Sequence, residues 1–303
     1  MSIAADTISA LPGVPPSLLG ESPLWLAESG SLLWCDIPGR RLNRWRLADG
    51  RHDSWSFDEE VACAAPLASG RLLLAGRHGL YRFDPRDGRR ERIAEAPYDP
   101  ARQRFNDGKA DPQGRLWVGT MCEQRDAAEA ALYRWADGQL VRVAGDITVS
   151  NGLAWSPDGA TMYWSDTRAH RIDAFDFAAD DGSLSRQRGF ARFDAKPADG
   201  SLDGYRGRPD GAAVDGEGAY WVAMFEGARL LRLAPDGSLL RDLPLPVRCP
   251  TMPCFGGPDL RTLFITTARH GRPAAELARQ PLAGCVLTLR VDVPGLPVNH
   301  ARD

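Results

Sequence analysis

A strand-like core recurs six times along the chain, as SLLWCD, RLLLAG, RLWVGT, TMYWSD, AYWVAM and TLFITT, each rich in aromatic and aliphatic residues. Centred on Leu33, Leu73, Trp117, Tyr163, Trp221 and Phe264, these cores lie 40, 44, 46, 58 and 43 residues apart. That period suits one four-stranded propeller blade per repeat. A second short strand follows each core. Five of them run into a tight turn, in RLNRWRLADG, GLYRFDPRDG, ALYRWADG, RIDAFDFAADDG and RLLRLAPDG, while the sixth reads CVLTLRVDVPG. Asp-Gly supplies the left-handed backbone that such hairpins need.

The expected fold class is therefore all-β, a six-bladed β-propeller of four-stranded blades around a central channel. An open sandwich or two smaller β domains would also give short strands at regular spacing. Six repeats filling residues 1–303 without a linker-like stretch favour one closed ring, with residues 1–10 set apart as a loose N-terminal tail. Helical patterning is confined to EQRDAAEAA (123–131) and PAAELARQ (273–280), both read as insertions between strands. Trp25, Trp117, Trp155 and Trp221 recur with the blades, which favours packing between blades over sugar stacking.

Composition removes several function classes. The 37 Lys+Arg against 40 Asp+Glu leave a net charge of −3, which excludes a nucleic-acid partner bound by bulk charge. No run of 18 apolar residues and no basic segment leading into an apolar one occurs, so neither a membrane partner nor a signal peptide is expected, and the location expected is cytoplasmic. A monomer or weak homo-oligomer acting on a small molecule fits this balance. Six cysteines without a Cys-x-x-Cys pair read as reduced thiols. Five histidines stand singly, which argues against a histidine metal site. Gly-x-Ser-x-Gly and the phosphate-cradling Gly-x-x-x-x-Gly-Lys-Ser/Thr are both absent.

Positive signal comes from the phase of the repeat. Stepping back 11 or 12 residues from the core centres reaches Glu21, Asn106, Asn151 and Asp210 in blades one, three, four and five. The same step in blades two and six reaches Val61–Ala62 and Met252–Pro253, which makes two sides of the channel mouth apolar. Two carboxylates and two amides converging on an axis suit a hard divalent cation, Ca2+ first. Taken singly, Asn106-Asp107-Gly108, Asn151-Gly152 and Asp210-Gly211 are ordinary turn sequences. Their common phase favours the metal reading.

The segments GESPLW (20–25), RFNDGKADPQGRLWVGTM (104–121), SNGLAWSPDG (150–159), RPDGAAVDGEGAYWVA (208–223) and CFGGPDLRTLFITTAR (254–269) resemble the SMP-30/gluconolactonase/regucalcin family, and its bacterial sugar-lactone lactonases especially. The resemblance implies a metal-dependent hydrolase that opens aldonolactones. It further implies one divalent ion held by Glu21, Asn151 and Asp210, with Zn2+, Mn2+, Mg2+ or Fe2+ as alternatives to Ca2+. It places Asn106 beside the ion, against substrate or water, and Arg104 on sugar hydroxyls. Where relatives often carry an acidic pair after Gly-Thr-Met, this chain has Glu123-Gln124, so one substrate-facing charge is replaced by an amide. Asp210 is expected to act as both ligand and general base. A phosphotriesterase-like hydrolase and a non-enzymatic calcium-binding propeller are the alternative functions.

Overall fold

In the computed structural model, which describes residues 8–303, six four-stranded antiparallel sheets follow one another along the chain. Their innermost strands, Gly20–Leu26, Val61–Pro66, Gln103–Ala110, Ser150–Trp155, Arg208–Val214 and Pro250–Gly256, define blades one to six. Each touches the inner strand of the next blade and the sixth touches the first, closing the ring. The six cores expected from sequence are the second strands, Ser31–Asp36, Leu72–Gly76, Leu116–Cys122, Thr161–Asp166, Tyr220–Phe225 and Thr262–Thr267.

Blade six draws its outer strand from the other end of the chain. Ser9–Ala10 pairs with Leu287–Arg290, with Ser9 opposite Thr288 and Ala10 opposite Leu287. These two residues fall in the segment read as a loose tail, and they correct that reading. The edge of Leu287–Arg290 carries backbone groups that another strand can satisfy. Residues 1–7 of the same segment lie outside the described residues.

Of the two helical patterns, the second forms a helix, Ala274–Arg279. The first does not: Arg125 takes a left-handed φ of 57° and the strand Ala130–Ala136 has already begun by the end of the pattern. Seven residues, 123–129, separate the paired strands here, against nineteen, 268–286, around the helix that forms, so this connection lacks the length for a helical turn with its entry and exit. All six cysteines are free thiols, four of them buried.

Two repeated carboxylates fix the blades from within. Asp111 Oδ1 accepts the N–H groups of Gln113 and Arg115, while its Oδ2 accepts from Trp117 Nε1 at 2.8 Å and Arg115 Nε at 2.6 Å. Asp215 repeats the pattern with Glu217 and Ala219, then with Trp221 Nε1 at 2.9 Å and Arg232 Nε at 2.8 Å. One carboxylate thus holds the turn between first and second strands and orients the tryptophan that follows. Trp117 meets Trp155 edge-on at 6.2 Å, Trp221 meets Phe255 at 6.1 Å and Trp25 stacks on Phe264 at 5.7 Å. The four tryptophans are core, as their recurrence indicates.

Asp215 is fully buried, so its removal strands an indole N–H and a guanidinium edge. Asp215→Ala is expected to lower unfolding stability by about 3 kcal/mol in denaturant titration. A loss within 0.5 kcal/mol, the ordinary surface range, would show that this clamp does not stabilise the blade.

A candidate metal centre at the channel mouth

Near its start, every inner strand takes one more residue than the strand beside it. The register slips between Glu21 and Leu24, Val61 and Cys63, Phe105 and Gly108, Asn151 and Ala154, Pro209 and Ala212, and Pro250 and Met252. Such a bulge bends the strand and re-aims its side chains. Ser22 and Gly152 take left-handed φ values of 50° and 66° within it. At Gly152 a side chain would collide with the Ser165 and Tyr220 hydroxyls. The sequences that look like turns are therefore strand bulges, and Glu21, Asn106, Asn151 and Asp210 sit at them, all buried.

A continuous line of hydrogen bonds joins three of these residues to Arg104. Arg104 Nη1 donates to Asn106 Oδ1 at 2.8 Å, Asn106 Nδ2 donates to Asn151 Oδ1 at 2.9 Å, and Asn151 Nδ2 donates to Asp210 Oδ1 at 2.6 Å. Asn106 Nδ2 also donates to the Ser150 carbonyl, and Asn151 Nδ2 to Thr167 Oγ1. Arg104 thereby engages the Asn106 oxygen through one lone pair, and Asn106 turns its N–H toward Asn151. Glu21 stands apart from the line, and its carboxylate accepts one hydrogen bond, from Ser22 N–H at 3.2 Å.

The charges are poorly compensated. Burial, then the neighbouring Asp210 and Asp107 carboxylates, push Glu21 well above the usual carboxylate range. Asp210 is pushed up to about 8, by burial first, with Arg208, Arg125 and Arg104 opposing the shift and Asp107 adding to it. Burial raises Asp107 as well, against the pull of Lys109. Asp107 Oδ2 accepts from Leu153 N–H at 2.8 Å, whereas its Oδ1 is buried without a partner. Buried carboxylates that repel one another beside amides are the donor set of a hard cation, and the neighbouring Cys35 and Cys63 thiols are pushed up by burial and by those carboxylates. No three His, Cys, Asp or Glu side chains among the described residues form a metal-holding cluster. An ion here therefore depends on an amide oxygen in addition to carboxylates.

The remaining sequence-predicted residues divide. Glu123 Oε1 lies 3.4 Å from Arg104 Nε and 3.0 Å from Arg77 Nη2, so it joins the site rather than opening a helix. Gln124 is exposed. Val61, Ala62 and Met252 are buried on the apolar sides, as their phase indicates. Asp107, Arg77 and Thr167 were not singled out from sequence, although Asp107 lies in the same bulge as Asn106. Lys109, one of only two lysines in the chain, donates to the Ala212 carbonyl. It borders a cavity of about 340 Å³ deeper in the channel, which Met252 and Pro253 also line.

Bulged inner strands that gather buried carboxylates, amides and an arginine fork at one end of a six-bladed channel define the class: a propeller with a buried, oxygen-rich polar site at its mouth. The chain belongs to the family described as SMP-30/Gluconolactonase/LRE-like region, whose model matches residues 19–269. It is 45% identical to the 6-deoxy-6-sulfogluconolactonase of Pseudomonas putida, over 92% of this chain and 94% of that protein. It is 36% identical to the regucalcin of Danio rerio, over 92% and 93% of the two chains. The crystal structure of regucalcin from Agrobacterium tumefaciens, described as a calcium-binding protein, matches with a TM-score of 0.88 at 29% identity, covering 95% of each chain.

The raised Asp210 pKa fixes the sign of a pH effect. The folded, ion-free protein holds a proton on Asp210 that the unfolded chain releases near pH 4, so stability falls as pH rises from about 4 through 8. A divalent cation bound at these carboxylates would replace that proton. Calorimetry of chelated protein is expected to show Tm falling from pH 5 to pH 8, with added Ca2+ or Zn2+ raising it more at pH 8. An ion-induced gain that is equal at both pH values would remove these carboxylates as the binding site.

Proposed function

We propose that the chain is a cytoplasmic, metal-dependent hydrolase that opens sugar lactones to aldonic acids in carbohydrate catabolism. The observation that carries this reading is the line Arg104–Asn106–Asn151–Asp210, which links a hydroxyl-binding fork to a buried carboxylate. The kinship with a sulfogluconolactonase supports it. Glu21, Asn151 and Asp210 would hold one divalent ion, Ca2+ before Zn2+, Mn2+, Mg2+ or Fe2+. When bound, the ion supplies Lewis-acid polarisation of the lactone carbonyl and acidification of the attacking water.

The chain's own groups do the rest. Asp210 Oδ1 is held by Asn151, which leaves Oδ2 to take the proton of the attacking water. Water adds to the carbonyl carbon, the ring C–O bond breaks, and that proton passes to the departing alkoxide as it becomes the new hydroxyl. Arg104 uses Nη1 on Phe105 O and Asn106 Oδ1, and its Nη2 edge is the part that meets sugar hydroxyls. Glu123, paired with Arg104, keeps that fork in place and accepts from a hydroxyl. Gln124 is exposed enough to reach a long substrate through its amide.

The test is hydrolysis of D-xylono-, L-arabinono-, D-galactono- and D-glucono-lactones by chelated protein, with each ion restored singly. Turnover is expected to return with an ion. Ion binding without turnover on any of the four, or on an anionic sugar lactone, would move the chain to the calcium-binding reading. Asp210→Asn, with ion occupancy confirmed, is expected to lower kcat by about a hundredfold or more, and an unchanged kcat would remove Asp210 as base. Arg104→Ala is expected to raise KM roughly tenfold for polyhydroxylated lactones and far less for plain γ-butyrolactone. Equal losses on the two would assign Arg104 to structure.

A further inference from the structure

The second lysine of the chain, Lys196, belongs to a cationic group beside the mouth. Its Nζ lies 3.1 and 3.0 Å from the two carboxylate oxygens of Glu226. Arg208 Nη1 reaches the same carboxylate at 2.9 Å, and so does Arg272 Nη1 at 2.9 Å. Glu276 takes the other edge of Arg272, at 2.9 and 2.7 Å. Three cations therefore share two carboxylates, leaving one positive charge uncompensated.

Chain position sets this group next to the proposed reaction centre. Arg208 opens the inner strand of blade five, two residues before Asp210, and of all nearby charges its guanidinium acts most strongly on that carboxylate. Arg125 and Arg104 act on Asp210 from blade three, so cations flank it from two sides. The side chains of Lys196, Arg208 and Arg272 are 24%, 12% and 12% exposed, which leaves them reachable by a ligand yet poor in water. Hydrogen bonds from such groups to an anion are charge-assisted and strengthened by the low local dielectric. Tyr205, hydrogen-bonded to His170 Nε2 at 2.6 Å and to Arg208, adds a neutral hydroxyl to the same rim.

We propose that Lys196, Arg208 and Arg272 form a subsite for a tetrahedral oxyanion, sulfonate or phosphate, carried on the sugar carbon farthest from the lactone carbonyl. The inference rests on the lactonase reading and narrows its substrates to anionic sugar lactones. Arg104 on blade three and this group on blade five then hold the two ends of one substrate across Asp210.

The experiment compares kcat/KM for 6-phosphoglucono-δ-lactone and glucono-δ-lactone with the restored ion, in the wild type and in Lys196→Ala. The wild type is expected to favour the anionic lactone by roughly tenfold or more, chiefly through KM and less so as salt rises. In Lys196→Ala that ratio collapses toward one. Arg272→Ala, checked for folding by circular dichroism, serves as the second variant. A wild-type ratio near one overturns the subsite, as does a ratio that survives in both folded variants. Turnover of the neutral lactone alone overturns the subsite and leaves the lactonase reading standing. Turnover of neither lactone, nor of the four neutral aldonolactones, overturns both.

Discussion

The one-residue bulge near the start of each inner strand is the constraint on which the site depends. In a regular strand, successive side chains alternate between faces and meet the neighbouring blades. An added residue breaks that alternation at a defined place and bends the backbone. Because all six inner strands carry the bulge at the same level, the side chains beside it come to one ring of positions. Four of those positions are polar and two are apolar, so the ring has a polar arc and a greasy one.

Such a polar arc is costly in the absence of a cation. Glu21, Asp107 and Asp210 are buried close enough to shift one another's protonation, and desolvation is the largest effect on each. A less rigid scaffold would move them apart. The ring resists because its last blade is completed by Ser9–Ala10, joining the two ends of the chain, and because Asp111 and Asp215 tie turn, indole and guanidinium together within their blades. Stability generated in the periphery thus offsets strain at the mouth.

How much of this was legible in the sequence follows from what each feature depends on. The blades were legible because they are local: a core such as TMYWSD and its following hairpin are written in consecutive residues. The levels of Glu21, Asn106, Asn151 and Asp210 were legible because the repeat fixes their phase. The bulges were not, since Asn-Gly and Asp-Gly serve bulges and hairpin turns equally well, and only pairing with a neighbouring strand separates the two. Partners distant in sequence were also hidden. The Arg104–Glu123–Arg77 contacts and the Glu226 cluster each join different blades, and no local pattern marks them. The segment 123–131 misled because its Ala and Glu content favours a helix, whereas the two strands it connects leave no room for one.

The two lysines show how the fold divides its charges between fixed and exchangeable ones. Lys109 is half-buried beside the channel cavity, where its ammonium donates to the Ala212 carbonyl and opposes the burial-driven rise of Asp107. An internal cation of this kind comes with the chain and needs no ion from solution, even though burial lowers its own pKa. It offsets one of the three buried carboxylates and leaves Glu21 and Asp210 for a cation from outside. Two remaining negative charges match a single ion of charge +2, and a second ion deeper in the channel would meet Lys109 instead of a bare acid. In the proposed reading the arginines at the rim would face a centre neutralised by that ion, with the surplus positive charge of the Lys196 group turned toward the substrate.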